Sequence, residues 1–327
     1  MKPQRAGKMH RAYAMLGVAS AAFGLWMTAA MAIEPERVTF PSFDIDVRTG
    51  EPIVISALYF SPDPSSGGYP AVIGLHGCGG MYSSAPGRRT HPHPGLPPER
   101  EGGRLSVRHQ AMAELLLAEG YAVLFPDSFT SRGRRNVCSF PIGQSPIVQD
   151  NRRLDVLGAL TYLRSRPDID AERIALLGWS HGGSAVLASV NLRHPVVAQY
   201  LAAAPSASFF RTAVAFYPGC FESLRTPYGF APATRVDIFI GESDDWTSPR
   251  SCVALASAMA VMSMPLSVTT YPDAYHGFDA PNMARPLHLD VPNGVNAGRG
   301  VTIAPNRAAR DDAYARMKAR LRDAFAP

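Results

Sequence analysis

Charged residues are scarce in this sequence: Asp, Glu, Lys and Arg make up 18% of its 327 residues, whereas hydrophobic residues make up 46%. Internal repeats and low-complexity runs are absent, and the 28 glycines and 29 prolines are scattered without a period. These features exclude a disordered chain, a fibrous protein and a repeat array. A chain of this length falls within the range of one large α/β domain, and it can bury a core without help from a metal or a disulfide.

The beginning of the chain has no acidic residues, and the first one in the sequence is Glu34. Four basic residues precede an uncharged stretch, residues 12–33, that contains Ala30-Met31-Ala32. A basic n-region, an apolar h-region and an A-x-A site are typical of a secretory signal peptide. We therefore predict that residues 1–32 are a signal peptide and that the mature protein is periplasmic or secreted. The alternative is an uncleaved membrane anchor, because the uncharged stretch is just long enough to cross a bilayer.

The net charge of +5 is concentrated in this predicted leader. Removing its four basic residues, Lys2, Arg5, Lys8 and Arg11, leaves 28 basic and 27 acidic side chains in residues 33–327. An almost neutral mature chain has no excess of positive charge with which to bind a polyanion. We therefore expect no nucleic-acid partner.

Cysteine is also scarce. The four residues are Cys78, Cys138, Cys220 and Cys252, and no C-x-x-C pair suggests a zinc site or a dithiol redox motif. An even number of cysteines in an exported chain predicts two disulfides, with three connectivities open. The alternative is four buried free thiols that act as small hydrophobic side chains.

Metal-ligand patterns are weak in this sequence. His91 and His93 lie in a proline-containing loop, with His109 further along the chain, and no Cys or acidic ligand accompanies them. Solvent-exposed loop histidines explain this pattern better than a metal site does. We expect neither a metal nor a cofactor.

Apolar runs alternate with stretches of helical period along residues 33–327. Strands are predicted at residues 38–47, 53–60, 71–75, 122–125, 174–177, 213–217, 236–240 and 266–271. Helices are predicted at about residues 104–120, 148–164, 180–191, 252–262 and 307–325. Apolar strands that alternate with helices form a mostly parallel sheet covered on both faces. The predicted fold class is α/β, with residues 33–327 as a single domain.

The most informative motif is G-x-S-x-G at residues 178–182, between a predicted buried strand and a predicted helix. In that context the motif forms a tight turn that lifts a serine hydroxyl above the end of the sheet. The helix N-terminus also directs its positive end toward the charge that develops on a reacting carbonyl oxygen. Ser180 is therefore the candidate nucleophile. The alternative is a structural glycine-rich turn.

A nucleophilic serine needs a base, and the base needs an acid that orients it. In this architecture the chain order is Ser, then Asp or Glu, then His. Asp244 and Asp245 follow the strand predicted at residues 236–240, and His276 follows the next strand. We predict His276 as the base and Asp244 as the acid, because Asp244 comes first to the edge of the sheet. The alternatives are Asp245 as the acid, or a helix cap and a loop histidine without catalytic roles.

An oxyanion hole needs two backbone N–H donors. One is predicted at His181, directly after the nucleophile, and the other at Cys78, in the glycine-rich loop after the strand at residues 71–75. Trp179 and Trp246 flank the candidate nucleophile and acid. These tryptophans either line a substrate pocket or belong to the core.

Together these residues resemble the dienelactone hydrolase family of α/β-hydrolases. The markers of the resemblance are His76-Gly77-Cys78-Gly79-Gly80, Pro126-Asp127-Ser128-Phe129, the motif at residues 178–182, Gly241–Trp246 and Tyr275-His276-Gly277-Phe278. The resemblance implies an α/β-hydrolase fold over nearly the whole mature chain, with ester hydrolysis as the activity. The name-giving enzyme has a cysteine nucleophile where this chain has Ser180, and a glutamate near the position of Gly77. A general carboxylic ester is therefore the expected substrate.

Two further assignments follow from the resemblance. One of the family's two substrate-carboxylate arginines corresponds loosely to Arg132, for which the alternative is a solvated loop position. The implied fold also favours the pairs Cys78–Cys138 and Cys220–Cys252. The first pair would tie the oxyanion loop to the loop after the neighbouring strand.

The sequence thus predicts an exported serine hydrolase that cleaves small-molecule carboxylic esters through a Ser-His-Asp triad and an acyl-enzyme intermediate. A peptidase and a polyester hydrolase with the same triad are alternatives, because specificity resides in loops. A non-catalytic binding protein is a third alternative, although all three triad positions hold competent residues. We expect no stable membrane insertion once the leader is removed, and the sequence does not specify an oligomeric state.

Overall fold

The computed structural model describes residues 34–63, 68–83, 103–141, 143–204, 209–281, 287–288, 291–296 and 298–326. The predicted leader, residues 1–32, lies outside these residues, as do His91 and His93. Within the described part of the chain, ten strands lie in two sheets.

The large sheet has eight strands. They are β1 (Glu36–Ile45), β2 (Pro52–Phe60), β3 (Tyr69–Leu75), β4 (Ala122–Asp127), β5 (Ile169–Trp179), β6 (Ala213–Phe216), β7 (Val236–Gly241) and β8 (Leu266–Tyr271). Their order across the sheet is β1-β2-β4-β3-β5-β6-β7-β8. β2 runs antiparallel to both β1 and β4, and the remaining pairs are parallel. This mostly parallel sheet confirms the predicted fold class.

Burial on both faces explains why the central strands are continuous apolar runs. Every residue of β4 and β7 is buried, and so are residues 71–75 of β3. β1 lies at the edge of the sheet, and its residues alternate between exposed and buried from Arg37 to Phe43. The core therefore lies on both sides of the parallel strands.

Seven helices connect and cover the strands in the described part of the chain. They are α1 (Val107–Ala118), α2 (Gln149–Ser165), α3 (His181–Val190), α4 (Pro195–Ala203), α5 (Phe221–Arg225), α6 (Pro249–Val261) and α7 (Arg307–Phe325). α1 begins later than predicted because Ser106 caps it, its hydroxyl oxygen accepting from the His109 amide at 3.4 Å. Among these helices, none has the length and apolar composition of a membrane span.

Sequence reasoning missed four short elements. α4 begins at Pro195, whose fixed φ suits the first position of a helix. α5 has five residues, too few to show a helical period. The small sheet consists of β9 (Leu287–His288) and β10 (Val301–Thr302), which are also too short for a strand pattern.

The chain changes direction across the sheet at β3. α1 leads from β3 to β4 on one side of β3, and α2 leads from β4 to β5 on the other side. The loops that follow β3 and β5 therefore diverge at the carboxyl end of the sheet. Open α/β sheets bind their ligands at such a point. Cys78 follows β3 and Ser180 follows β5, so both lie at this point.

Two disulfides join the four cysteines in the pairs that the implied fold favours, Cys78–Cys138 and Cys220–Cys252. The first joins the loop after β3 to the loop after β4. The second joins the residue before α5 to α6. Disulfides form and persist in oxidising environments, so this pair of bonds indicates an oxidising compartment.

Candidate active site

Ser180 lies in the turn between β5 and α3. Its backbone has φ 54° and ψ −117°, a left-handed conformation that costs an L-residue on the order of 1–3 kcal/mol. The Ser180 amide donates to the Phe216 carbonyl oxygen at 2.9 Å, which fixes the turn. Glycine is required at position 182, because a Cβ on Gly182 would overlap the carbonyl oxygens of Leu75 and His76. The G-x-S-x-G sequence thus forms a strained turn that presents the serine hydroxyl at the sheet edge.

His276 lies in the loop after β8, with its ring beside Ser180. Its Nε2 is 2.9 Å from Ser180 Oγ. The side chain is 4% exposed, and its ring lies near the rings of Tyr217 and Trp246, at centroid distances of 4.6 and 4.7 Å. The His276 carbonyl oxygen accepts from the Ala304 amide at 3.2 Å. Contacts with two aromatic rings therefore restrict the movement of the imidazole.

Asp244 follows β7, and its carboxylate is completely buried. Oδ2 lies 2.9 Å from His276 Nδ1 and accepts from Thr247 Oγ1 at 2.9 Å. Oδ1 accepts from the amides of Trp246 and Thr247 at 2.9 and 2.8 Å. Because a carboxylate only accepts, the imidazole proton lies on Nδ1, and Nε2 is left to accept from the Ser180 hydroxyl.

The neighbouring carboxylate, Asp245, faces a different part of the chain. It accepts from the Thr302 amide at 2.7 Å and from the Thr302 hydroxyl at 2.8 Å. Its backbone carbonyl accepts from the Val295 amide at 2.7 Å. Asp245 thus fixes the segment that contains β10 to the end of β7. The structure brings Ser180, His276 and Asp244 together and leaves Asp245 outside this group.

The two predicted oxyanion donors belong to segments next to Ser180. His181 is the first residue of α3, and Cys78 lies in the loop after β3. That loop approaches so closely that a Cβ on Gly77 would be 3.6 Å from the Ser180 Cβ. Neither the His181 amide nor the Cys78 amide donates a hydrogen bond to another described residue. The Cys78 carbonyl accepts from the Val137 amide at 2.8 Å, which reinforces the disulfide as an anchor of this loop.

Arg132, the predicted substrate-binding residue, has its guanidinium hydrogen-bonded within the protein. Its guanidinium donates to Asp155 and Asp44 and to the Ser128 carbonyl oxygen, at distances of 2.6–2.9 Å. The side chain is 10% exposed. Because both terminal nitrogens are bound within the protein, Arg132 has a structural role.

The two tryptophans have different surroundings. Trp179 is completely buried, and its Nε1 donates to Asp279 at 2.9 Å. It belongs to the core. Trp246 is partly exposed and packs against the His276 ring, so it lies at the surface of the site.

Sequence reasoning missed a buried carboxylate, Asp279, beneath the site. In addition to the indole, it accepts from the hydroxyls of Tyr217 and Tyr314 at 2.6 and 3.1 Å. Arg108 Nε lies 3.3 Å from it. Since the Tyr217 ring contacts the His276 ring, this cluster holds one of the aromatic neighbours of the imidazole in place. In the sequence, the only indication of this buried carboxylate is an acidic residue three positions after His276 that adjoins an apolar residue.

No group of three or more His, Cys, Asp or Glu side chains among the described residues is arranged to hold a metal ion. His109, the third histidine of the weak pattern in the sequence, lies in the core. Its Nδ1 is 2.6 Å from Ser106 Oγ, and its ring packs edge-on against Phe125 and Trp179.

Three further histidines lie in the segments around the site: His76 and His109 are buried, and His181 is half-buried. Burial lowers the pKa of each, to about 3 for His109 and His181 and well below the ordinary value for His76. A nearby guanidinium lowers these pKa values further, from Arg152 for His76 and His181 and from Arg108 for His109. All three imidazoles are therefore neutral at pH 7.

We expect the free energy of unfolding to decrease as the pH falls below about 6.5. Histidines in the unfolded chain have pKa values of about 6.5. Between that pH and about 3, the unfolded state binds protons that the folded state excludes, so each histidine adds up to about 1.4 kcal/mol per pH unit to the slope. Urea unfolding at pH 7, 6 and 5 measures the slope, which should be shallower in His109→Gln. An unchanged slope in that variant would contradict the assignment.

The sheet order, the turn at Ser180 and the Ser-His-Asp geometry at the carboxyl ends of β5, β7 and β8 define an α/β-hydrolase. The model of the dienelactone hydrolase family matches residues 102–325. The chain belongs to the dienelactone hydrolase family, which confirms the resemblance in the sequence. It is a carboxylic ester hydrolase of that family.

Solved structures share this fold at low sequence identity. A dienelactone hydrolase-like promiscuous phosphotriesterase from metagenomic libraries is 14% identical, with a TM-score of 0.59 over 90% of this chain and 100% of its own. Esterase 2 of Thermogutta terrifontis, phosphoramylated by tabun, is 14% identical, with a TM-score of 0.56 over 90% and 97%. Dipeptidyl peptidase 4 of Porphyromonas gingivalis is 17% identical, with a TM-score of 0.51 over 88% and 35%. No curated protein sequence matches the chain significantly.

Proposed function

We propose that the protein is an exported serine hydrolase of small-molecule carboxylic esters, in which Ser180 is the nucleophile, His276 the general base and Asp244 the orienting acid. The observation that carries the proposal is the position of the His276 ring. Its two nitrogens each lie 2.9 Å from a partner, Nε2 from Ser180 Oγ and Nδ1 from Asp244 Oδ2. A nucleophile, a base and an acid need this hydrogen-bond contact to act in series.

In the first half of the proposed reaction, the serine is acylated. His276 Nε2 takes the hydroxyl proton while Ser180 Oγ bonds to the ester carbonyl carbon. The carbonyl oxygen becomes an oxyanion, to which the amides of Cys78 and His181 donate. The bond to the alcohol oxygen then breaks, and the leaving alcohol receives the proton from the imidazolium. Asp244 stabilises the imidazolium while it exists.

In the second half, water releases the acyl group. His276 takes a proton from the water while the water oxygen bonds to the acyl carbon, which forms a second tetrahedral intermediate. When the bond between the acyl carbon and Ser180 Oγ breaks, His276 returns the proton to Ser180 Oγ. One ester and one water become one alcohol and one carboxylic acid. These steps use only side chains and backbone amides of the chain, so they require no cofactor.

Trp246 is the side chain that we propose to contact the substrate. It is partly exposed, and its ring is 4.7 Å from that of His276, so a bound acyl or alcohol group meets it next to the reacting atoms. An aromatic wall of this kind favours apolar or flat groups. The small-molecule partner of the site is thus an ester with at least one apolar side.

Export is the second part of the proposal. The basic n-region, the apolar h-region and the A-x-A sequence of residues 1–32 support a cleaved leader. The two disulfides support an oxidising destination. We propose that residues 33–327 act in the periplasm or outside the cell as one catalytic domain.

Covalent labelling tests the proposed activity. A fluorophosphonate reacts with a serine that a base has activated, so we expect one adduct per chain, located by mass spectrometry on the peptide that contains Ser180. Hydrolysis of p-nitrophenyl acetate by the mature, oxidised protein should decrease in proportion to the labelling, and Ser180→Ala should remain unlabelled.

Three outcomes would contradict the proposal in different ways. Inactivation through a different serine would move the nucleophile away from Ser180. Faster cleavage of a peptide p-nitroanilide than of any ester would identify a peptidase. The absence of both labelling and hydrolysis would identify a binding protein with a hydrolase fold.

A further inference from the structure

The guanidinium of Arg152 lies buried behind the proposed oxyanion hole. Arg152 belongs to the first turn of α2 and is completely buried. Its Nη1 donates to the His76 carbonyl oxygen at 2.7 Å and lies 3.0 Å from His181 Nδ1. Its Cζ lies 5.4 Å from the centre of the Phe129 ring. One nitrogen thus connects the loop after β3 with the beginning of α3.

The contact with His181 determines the state of that ring. Since Arg152 can only donate, His181 Nδ1 accepts, and the ring proton lies on Nε2. The ring also makes a hydrogen bond with the backbone of Ile147. Burial, together with the charge of Arg152, lowers the pKa of His181 to about 3, so the imidazole stays neutral and remains an acceptor at neutral pH.

The charge of Arg152 is not bound by a carboxylate at hydrogen-bond distance. Its Nε and Nη2 have no hydrogen-bond partner among the described residues, and Asp155 and Asp127 act on it only at longer range. Burial lowers its pKa to about 10, which still leaves it protonated at neutral pH. A buried cation without a close counter-ion costs stability. A role of the Arg152 cation in the active site would explain why it is present despite this cost in stability.

We propose that Arg152 is a positioning residue for the oxyanion hole, an inference that rests on the proposed function. By holding the His76 carbonyl, it fixes the peptide plane that immediately precedes the one carrying the Cys78 amide. By holding the His181 ring, it fixes the residue whose own amide is the second donor.

Arg152→Met and Arg152→Lys test the proposal, with Arg153→Met as the matched control. Arg153 is the next residue of α2 and is 6% exposed. It donates to the Ala188 carbonyl oxygen and to Asp150 rather than to either oxyanion segment. Both methionine variants therefore remove one buried guanidinium from the same helix turn.

We expect Arg152→Met to lower kcat for p-nitrophenyl acetate by about 10–100-fold, with KM changed by less than about threefold, because an oxyanion contact strengthens in the transition state. A trifluoromethyl ketone, which forms a tetrahedral oxyanion on the serine, should bind more weakly by the same factor. Arg152→Lys should recover part of both losses. Arg153→Met should keep kcat within about threefold of the wild-type value even where its urea midpoint decreases.

His181→Ala supplies a second test if Arg152→Met does not fold. It removes the ring that Arg152 holds and keeps the amide, so we expect a smaller decrease in kcat and in inhibitor affinity, again at nearly constant KM. Wild-type kcat and inhibitor affinity in folded Arg152→Met, or in His181→Ala, would overturn the proposal, as would an equal loss in Arg153→Met. Failure of the wild-type protein to be labelled at Ser180 would instead refute the proposed function.

Discussion

Replacing Ser180 with alanine is expected to lower kcat for p-nitrophenyl acetate by a factor of about 10⁴ to 10⁶, with KM changed by less than about threefold. The substitution removes the attacking oxygen and leaves Trp246 and the oxyanion amides in place. The Cβ is retained, and so is the backbone that holds the turn, so the urea midpoint should stay close to that of the wild-type protein. Steady-state assays of the mature, oxidised protein measure the effect.

His276→Ala provides the control for this prediction. Residues that transfer one proton in series act as a unit, so the loss in Ser180→Ala/His276→Ala should be no larger than the loss in Ser180→Ala. Multiplied losses in the double variant would show that Ser180 and His276 act in separate steps, and would contradict the 2.9 Å contact as the catalytic one.

Asp244→Asn is expected to lower kcat by about 10⁴-fold. An asparagine cannot offer a carboxylate to His276 Nδ1–H, so the imidazole loses both its orientation and the charge that stabilises the imidazolium. The other oxygen of Asp244 accepts from two backbone amides, and Asn can retain those contacts. The loss should therefore appear in kcat while the fold persists.

Asp245→Asn is the matched control, because it makes the same chemical change at the adjacent residue. Asp245 binds the amide and hydroxyl of Thr302 and does not contact His276. We expect kcat to stay within about tenfold of the wild-type value, with the main effect on the stability of the segment around β10. A larger loss in Asp245→Asn than in Asp244→Asn would assign the acid to Asp245.

The parts of the fold and site that sequence could predict are those with a local cause. Ser180 can be predicted because G-x-S-x-G between an apolar strand and a helix is compatible with few backbone conformations. Gly182 illustrates this restriction, since any side chain there would overlap the backbone at the end of β3. Asp244 and His276 followed from chain order, because the ends of parallel strands meet at one edge of a sheet. Asp244 is preferred over Asp245 because it comes first of the two after β7.

The parts that sequence could not predict depend on partners distant along the chain. The resemblance implies a substrate contact for Arg132, but its guanidinium donates to Asp44, 88 residues away, at 2.6 Å. Trp179 lies next to the nucleophile in sequence, yet alternation along β5 points it into the core, where it meets Asp279, 100 residues away. Arg152 lies within a predicted helix, and nothing in its local sequence indicates that it donates to the His76 carbonyl oxygen, 76 residues away.

The two disulfides join the first cysteine to the second and the third to the fourth. In a chain that crosses a membrane from its N-terminus, Cys138 is the first thiol to emerge after Cys78. Once these two have paired, Cys220 is the free thiol that remains when Cys252 emerges. An oxidase that couples thiols in their order of emergence thus produces the native pairs directly, out of three combinations. For a chain exported as proposed, thiol oxidation in the order of emergence would give the native pairs without reshuffling by an isomerase.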